Sequence, residues 1–114
     1  MFNKNHIKFQ SLKSTNEFAL SLKGMPVFSE GLLVTTDHQS KGKGQLGNSW
    51  DSASGLNILL SVVIEPKISL NRQFDINKIV TLAIYDFLTS FSSNISVKWP
   101  NDILLDKKKI AGVL

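Results

Sequence analysis

The chain has no cysteine. That excludes a disulfide framework and any thiolate nucleophile or ligand, and it makes a reducing compartment, the cytoplasm, the expected setting. Long apolar runs are also missing. No segment reaches the roughly twenty residues that a membrane helix needs, so no membrane partner is expected. The first residues carry Lys4, His6 and Lys8 without the apolar stretch of a signal peptide. There is no internal repeat and no low-complexity tract. Neither sign of charge dominates: 13 Lys and Arg stand against 9 Asp and Glu, a net +4. So mild an excess suits anionic ligands but does not by itself imply nucleic acid. At 114 residues, 42% hydrophobic and 19% charged, the composition is that of one globular domain with a modest core.

Two nucleotide-binding signatures are missing as well. Asp37–Trp50 contains Gly42, Gly44 and Gly47 at G-x-G-x-x-G spacing. A Rossmann unit would open a helix directly after the last glycine. Here Asp51-Ser52-Ala53-Ser54-Gly55 follows, which is turn chemistry, and then a strand pattern. No Gly-Lys pair precedes Ser or Thr as a P-loop requires. What remains is a basic glycine loop between two strands. Glycines let a backbone approach a ligand closely, and successive N–H groups with lysines beside them form an anion nest. The stretch therefore predicts a phosphate or carboxylate site, against the plainer reading of a long solvated hairpin loop.

The rest of the chain supplies a frame for that loop. His6–Leu12 alternates, with Ile7, Phe9 and Ser11 on one side, and predicts a strand. Ser14-Thr15-Asn16-Glu17 has the form of a capping box, with Ser14 as N-cap and Glu17 reaching back. A short helix with Phe18, Ala19 and Leu22 inward should end at Gly24 and Pro26. Capping alone accounts for Ser14, Thr15 and Asn16, although a helix start can also donate hydrogen bonds to a ligand. Gly31–Asp37 and Leu56–Ile64 read as strands. In the second, Ile58, Leu60 and Val62 should face one way, and Asn57, Leu59, Ser61 and Val63 the other. The polar Asn57 and Ser61 leave a solvent face and a polar site equally open. Asn71–Ser90 predicts a scaffold helix with Ile76, Ile79, Val80, Ala83, Phe87 and Leu88 on its apolar stripe and Tyr85 and Asp86 at the rim. In Val97–Leu114, Pro100 ends a strand carrying Lys98 and Trp99, and Ile103–Leu105 is the next strand. Asp106–Lys108 turns, and Lys109–Leu114 returns antiparallel, beginning beside Lys98, Trp99 and Asn101. Lys107 and Lys108 suit a solvated tip, whereas Lys109 runs into Ile-Ala-Gly and could project inward.

Four stretches together resemble the biotin protein ligases. Gly42-Lys43-Gly44-Gln45-Leu46-Gly47-Asn48-Ser49-Trp50 is similar to that family's G-R-G-[RQ]-x-G-[RN]-x-W. Lys98-Trp99-Pro100-Asn101-Asp102-Ile103, continued by Lys109-Ile110-Ala111-Gly112-Val113-Leu114, is similar to K-W-P-N-D-[IL] and K-[IL]-A-G-[IV]-L. Ser14-Thr15-Asn16 resembles its S-T-N, and Gly55–Ser61 its G-x-N-L-x-x-S. Each alone is weak, but the four stand in family order over nearly the whole chain.

The resemblance implies an α+β fold, a mixed, largely antiparallel sheet with helices packed on one face, of the class II aminoacyl-tRNA synthetase/biotin ligase type, here incomplete. It implies a two-step reaction. Biotin's carboxylate attacks the α-phosphate of ATP to give biotinyl-5′-AMP, and a lysine of a biotin carboxyl carrier domain, of acetyl-CoA carboxylase or a related carboxylase, then takes the biotin. Lys109 aligns with the family's essential lysine. Ser14, Thr15, Asn16, Gln39, Gly42, Lys43 and Gly112 align with biotin-binding positions. Lys43, Gln45, Asn48, Trp50, Asn57, Lys98 and Asn101 align with positions around the nucleotide and its phosphates. Mg²⁺ would accompany the triphosphate, and no protein metal site is implied.

Two departures from the family pattern stand out. Lys43, Gln45 and Asn48 occupy positions where many members have arginine; lysine keeps the charge but loses the planar fork for bidentate phosphate contacts. The family also continues well past the Ile-Ala-Gly-Val-Leu strand, so the chain reads as the N-terminal part of a catalytic domain. It has no room before His6 for a winged helix, and hence no DNA partner is expected. On that reading the fragment alone should be inactive and should self-associate through its last strand. A lipoate or octanoyl ligase or transferase shares the fold and a basic loop, but the Trp-Pro-Asn-Asp stretch argues against it. A single-stranded nucleic-acid module is a weaker alternative, because only Trp50 and Trp99 sit among lysines.

Overall fold

The computed structural model describes residues 5–114; Lys4 lies outside them. The chain forms two compact units that meet in sequence at Pro66 and Lys67. The first holds β1 (Asn5–Leu12), α1 (Thr15–Ser21), β2 (Leu32–Gln39) and β3 (Leu59–Val62). The second holds α2 (Gln73–Thr89), β4 (Ile95–Lys98), β5 (Asp102–Leu105) and β6 (Lys108–Gly112). The α+β, largely antiparallel arrangement is as expected, divided between two three-stranded sheets, β1-β2-β3 and β4-β5-β6.

In the first unit β1 and β2 run parallel, and β2 and β3 antiparallel. A parallel pair needs a crossover, and α1 supplies it. Ser14 has the extended backbone of an N-cap, and its Oγ accepts from the Glu17 N–H at 3.3 Å. The other half of the expected capping box is replaced: the Glu17 carboxylate lies 3.3 Å from Lys43 Nζ. Ala19 of α1 is buried with Leu32, Val34 and Val63, and Ile7, Leu12, Phe18 and Leu22 pack against this core. Phe18 meets Phe9 edge to face at 4.7 Å. Leu12, rather than Ser11, is the inward residue at the end of β1; Ser11 is exposed.

Two boundaries differ from expectation. Asp37, His38 and Gln39 belong to β2, because β1 continues to pair with it through Ser11–His38 and Leu12–Gln39. β3 is shorter than Leu56–Ile64. Residues 54–57 form a turn, in which Asn57 Nδ2 donates to the Ala53 carbonyl at 3.1 Å. The alternation along β3 holds, and Leu59 and Val63 are buried while Leu60 and Val62 are exposed.

In the second unit α2 packs on β4 and β5. Ile95 and Ile103 are buried on one face of that sheet, and Thr81 is 2% exposed on the helix. The buried line of α2 therefore runs near Thr81, Ile84 and Leu88. Ile79, Ala83 and Phe87, placed on the inner stripe by sequence, are exposed. The apolar residues of this helix cover more than one face, so periodicity alone centred the stripe on the wrong edge. Tyr85 and Asp86 lie at or beyond the rim as expected. Strands β5 and β6 join through Asp106 and Lys107, at φ 48° and 67°, between the paired Leu105 and Lys108. This is the two-residue hairpin turn, one residue shorter than Asp106–Lys108.

Candidate functional site

Three segments far apart in the sequence converge on Thr15 within the first unit. Its N–H donates to Gln39 Oε1 at 2.7 Å, and its hydroxyl donates to the same oxygen at 3.1 Å. The hydroxyl also lies 2.9 Å from Ser61 Oγ. Thr15 belongs to the Ser-Thr-Asn stretch, Gln39 leads into the glycine loop, and Ser61 ends the Gly55–Ser61 stretch. The fold brings them together because α1 returns the chain from β1 to the β2–β3 pair. Ser14 and Thr15 are buried at 3% and 4%, whereas Asn16 is exposed. The polar face of β3 that sequence left undecided thus meets Thr15 through Ser61, a residue absent from the expected site set. Its signal was the Asn57-x-x-x-Ser61 spacing on one face of a strand. Asn57, four residues away, is exposed in the preceding turn.

The glycine loop is a closed hairpin. Trp50 N–H donates to Gly42 O at 2.8 Å, and Gly44 N–H to Asn48 O at 2.7 Å. Gln45–Gly47 makes a 3₁₀ turn at the tip, with Leu46 at φ 57° and 99% exposed. Gly42 is buried, and a Cβ there would stand 2.4 Å from Trp50 O and 3.1 Å from Gln39 Nε2. Only hydrogen fits between the loop's two arms beside Gln39. Lys43 is held by Glu17, while Asn48 and Gln45 flank the tip.

The second unit carries Lys98 and Lys109. β4 and β5 pair through Val97–Ile103 and Lys98–Asp102. β5 and β6 pair through Leu104–Lys109 and Asp102–Gly112, with a register shift between Ile103 and Leu104 that leaves Ile110 extra on β6. Side chains alternate along a strand, so Lys98, Asp102, Leu104, Lys109 and Gly112 share the face opposite buried Ile95 and Ile103. Lys109 Nζ lies 2.9 Å from Asp102 Oδ1. Asn101 Nδ2 donates to the Val113 carbonyl at 2.6 Å, and its carbonyl accepts from Val113 N–H at 3.0 Å; it clasps the end of β6. Trp99 lies beyond β4, in the turn rather than the strand, and meets Phe74 edge to face at 5.6 Å. Lys107 sits in the hairpin turn, as a solvated tip requires. Among the described residues no three His, Cys, Asp or Glu side chains group as a metal site, and no helix is long and apolar enough to cross a membrane.

Residues 8–114 match the family model described as the biotin/lipoate A/B protein ligase family. The chain is 33% identical over 86 residues to the bifunctional ligase/repressor BirA of Bacillus spizizenii, a match covering 75% of this chain and 26% of that protein. It is 33% identical over 104 residues to a biotin–[acetyl-CoA-carboxylase] ligase of Paracoccus denitrificans, covering 89% and 42%. Among solved structures, a biotin protein ligase from Aquifex aeolicus in complex with biotin and ATP is similar with a TM-score of 0.79 at 34% identity, covering 98% of this chain and 46% of that one. The chain thus spans less than half the length of each of these relatives.

Proposed function

Because the chain belongs to the biotin/lipoate A/B protein ligase family, we propose that it supplies the biotin- and phosphate-handling part of a biotin protein ligase. The observation that carries this reading is the meeting on Thr15, of the Ser-Thr-Asn stretch, of Gln39 at the foot of the glycine loop and Ser61 of the Gly55–Ser61 stretch. Two motifs that had only sequence order in common are joined through Thr15 and Ser61, and Gln39 ties them to the foot of a loop in which Gly42 tolerates no side chain.

In the first step biotin's carboxylate oxygen bonds to the α-phosphorus of ATP and pyrophosphate leaves. In the second, a lysine amine of the carrier domain attacks the carbonyl of the mixed anhydride, AMP leaves, and the amine gives up a proton as the amide forms. Bringing a carboxylate to a phosphate is opposed by like charge. Preorganised cations and N–H groups offset that repulsion and orient the reactants. In this reading Ser14, Thr15, Asn16, Gln39, Gly42, Lys43 and Gly112 serve biotin. Gln45, Asn48, Trp50, Asn57, Lys98 and Asn101, with Lys43, serve the nucleotide. Lys109 meets both anions. Mg²⁺ would offset the charge of the bound triphosphate, and no residue of this chain is assigned to hold it. The carrier domain of acetyl-CoA carboxylase or a related carboxylase is the acceptor, and the cytoplasm is the setting.

Pyrophosphate–ATP exchange by the full-length protein tests the reading. Exchange stimulated by biotin and not by lipoate or octanoate is expected. Stimulation by lipoate alone would assign the chain to the lipoate branch of its family.

A further inference from the structure

We propose that Asp102 is the positioning residue for Lys109. The inference rests on the reading above, in which Lys109 meets the reacting anions, and adds to it the group that aims the lysine.

Lysine is a poor choice for a fixed charge, because its four-carbon stem leaves the ammonium free to wander. Here two features restrain it. The register shift makes Lys109 and Ile110 together oppose Leu104. Such a bulge bends its strand and re-aims side chains. It puts Lys109 on the face of Lys98 and Asp102, although Ala111, two residues on, pairs with Ile103 on the opposite face. Asp102 then takes the ammonium at 2.9 Å, with its own side chain only 18% exposed. An ammonium has three N–H donors. One held by a carboxylate sets the direction of the others.

The neighbours of Asp102 serve the same end. Across β6 it faces Gly112, so no side chain of that strand stands directly beside it to crowd the path from Lys109. Across β4 it faces Lys98. Asp102 is the single acidic residue that β4, β5 and β6 carry. On a face built to gather anions a carboxylate is out of place unless it holds a cation.

A kinetic cycle on the full protein decides the matter, using Asp102→Asn, Lys109→Met and the double variant in biotin-dependent pyrophosphate exchange. Asp102→Asn should lower kcat about 10- to 100-fold, the scale of a misplaced reacting group, and leave KM for biotin within about threefold. In the Lys109→Met background the same change should have no further effect, since a residue that acts through Lys109 has nothing left to aim. Asp102→Glu should recover part of the loss, because it keeps the charge on a longer arm. Thermal unfolding accompanies each variant; if Asp102→Asn does not fold, the cycle is run with Asp102→Glu, whose smaller loss should likewise vanish in the Lys109→Met background. A full-rate Asp102→Asn enzyme, or equal losses in both backgrounds, overturns the proposal and leaves the ligase reading standing. A wild-type protein without biotin-dependent exchange, or an active Lys109→Met enzyme, overturns the reading and the proposal with it.

Discussion

Glu17 Oε2 lies 3.3 Å from Lys43 Nζ, joining the first turn of α1 to the glycine loop, with both side chains more than half exposed. The Glu17 half of the capping motif is thus spent on the loop, while Ser14 still caps the helix. A carboxylate on Lys43 competes with any anionic ligand for the same charge. Glu17→Gln should therefore cost little stability, about 0–1 kcal/mol for an exposed pair, and should tighten biotin binding by roughly two- to fivefold at low salt. Titration calorimetry at two ionic strengths checks this; unchanged or weaker binding at low salt would remove the competition.

Thr15→Val keeps the side chain's shape and deletes the hydroxyl shared by Gln39 and Ser61. Gln39 Oε1 keeps the Thr15 N–H, but part-buried Ser61 Oγ loses its Thr15 partner, at about 1–3 kcal/mol. Biotin affinity should fall with it, and Thr15→Ser should restore most of both. Chemical unfolding and biotin titration on the two variants measure the contrast.

Gly42→Ala puts a methyl group 2.4 Å from a backbone oxygen, Trp50 O. The hairpin must shift, at about 1–3 kcal/mol. Reduced thermal stability with weakened biotin binding is expected. A Gly42→Ala protein that binds biotin as tightly as wild type would show that the closed hairpin is not the binding form.

Lys109→Ala should lower adenylate formation steeply and leave the fold intact, since the residue sits on an exposed sheet face. Losing a preorganised charge at the reacting centre costs on the order of 10²- to 10³-fold in rate. Circular dichroism and pyrophosphate exchange on the same preparation test both halves.

Asp75, in the first turn of α2, accepts from Lys78 Nζ at 2.6 Å and from Arg72 Nε at 3.0 Å. Lys78 first and Arg72 second hold its carboxyl below the ordinary 3.8. A lowered carboxyl pKa adds stability that is fully present above the unfolded value and is lost as pH falls through the folded one. Wild type should lose a small thermal increment in acid that Asp75→Asn never had. Parallel pH–Tm curves for the two proteins would remove the linkage.

Several elements follow from residue order alone because their causes are local. Ser14 caps α1, two left-handed residues close the β5–β6 turn, and alternation along β3 separates Leu59 and Val63 from Leu60 and Val62. The candidate motifs were legible for the same reason: each lies within a few consecutive residues. Other features depend on distant partners. β2 runs on to Gln39 because β1 is there to pair with it. The buried line of α2 is chosen by the strands it packs on, from a helix whose apolar residues permit several. Ser61 joins the site because α1 delivers Thr15 to it, and Asp102 finds Lys109 because one extra residue on β6 changes which face the lysine meets. Capping, turn chemistry and side-chain alternation are short-range and written in adjacent residues. Register, the buried face of a helix and hydrogen bonds across 46 positions, as between Thr15 and Ser61, exist only once the chain has closed on itself.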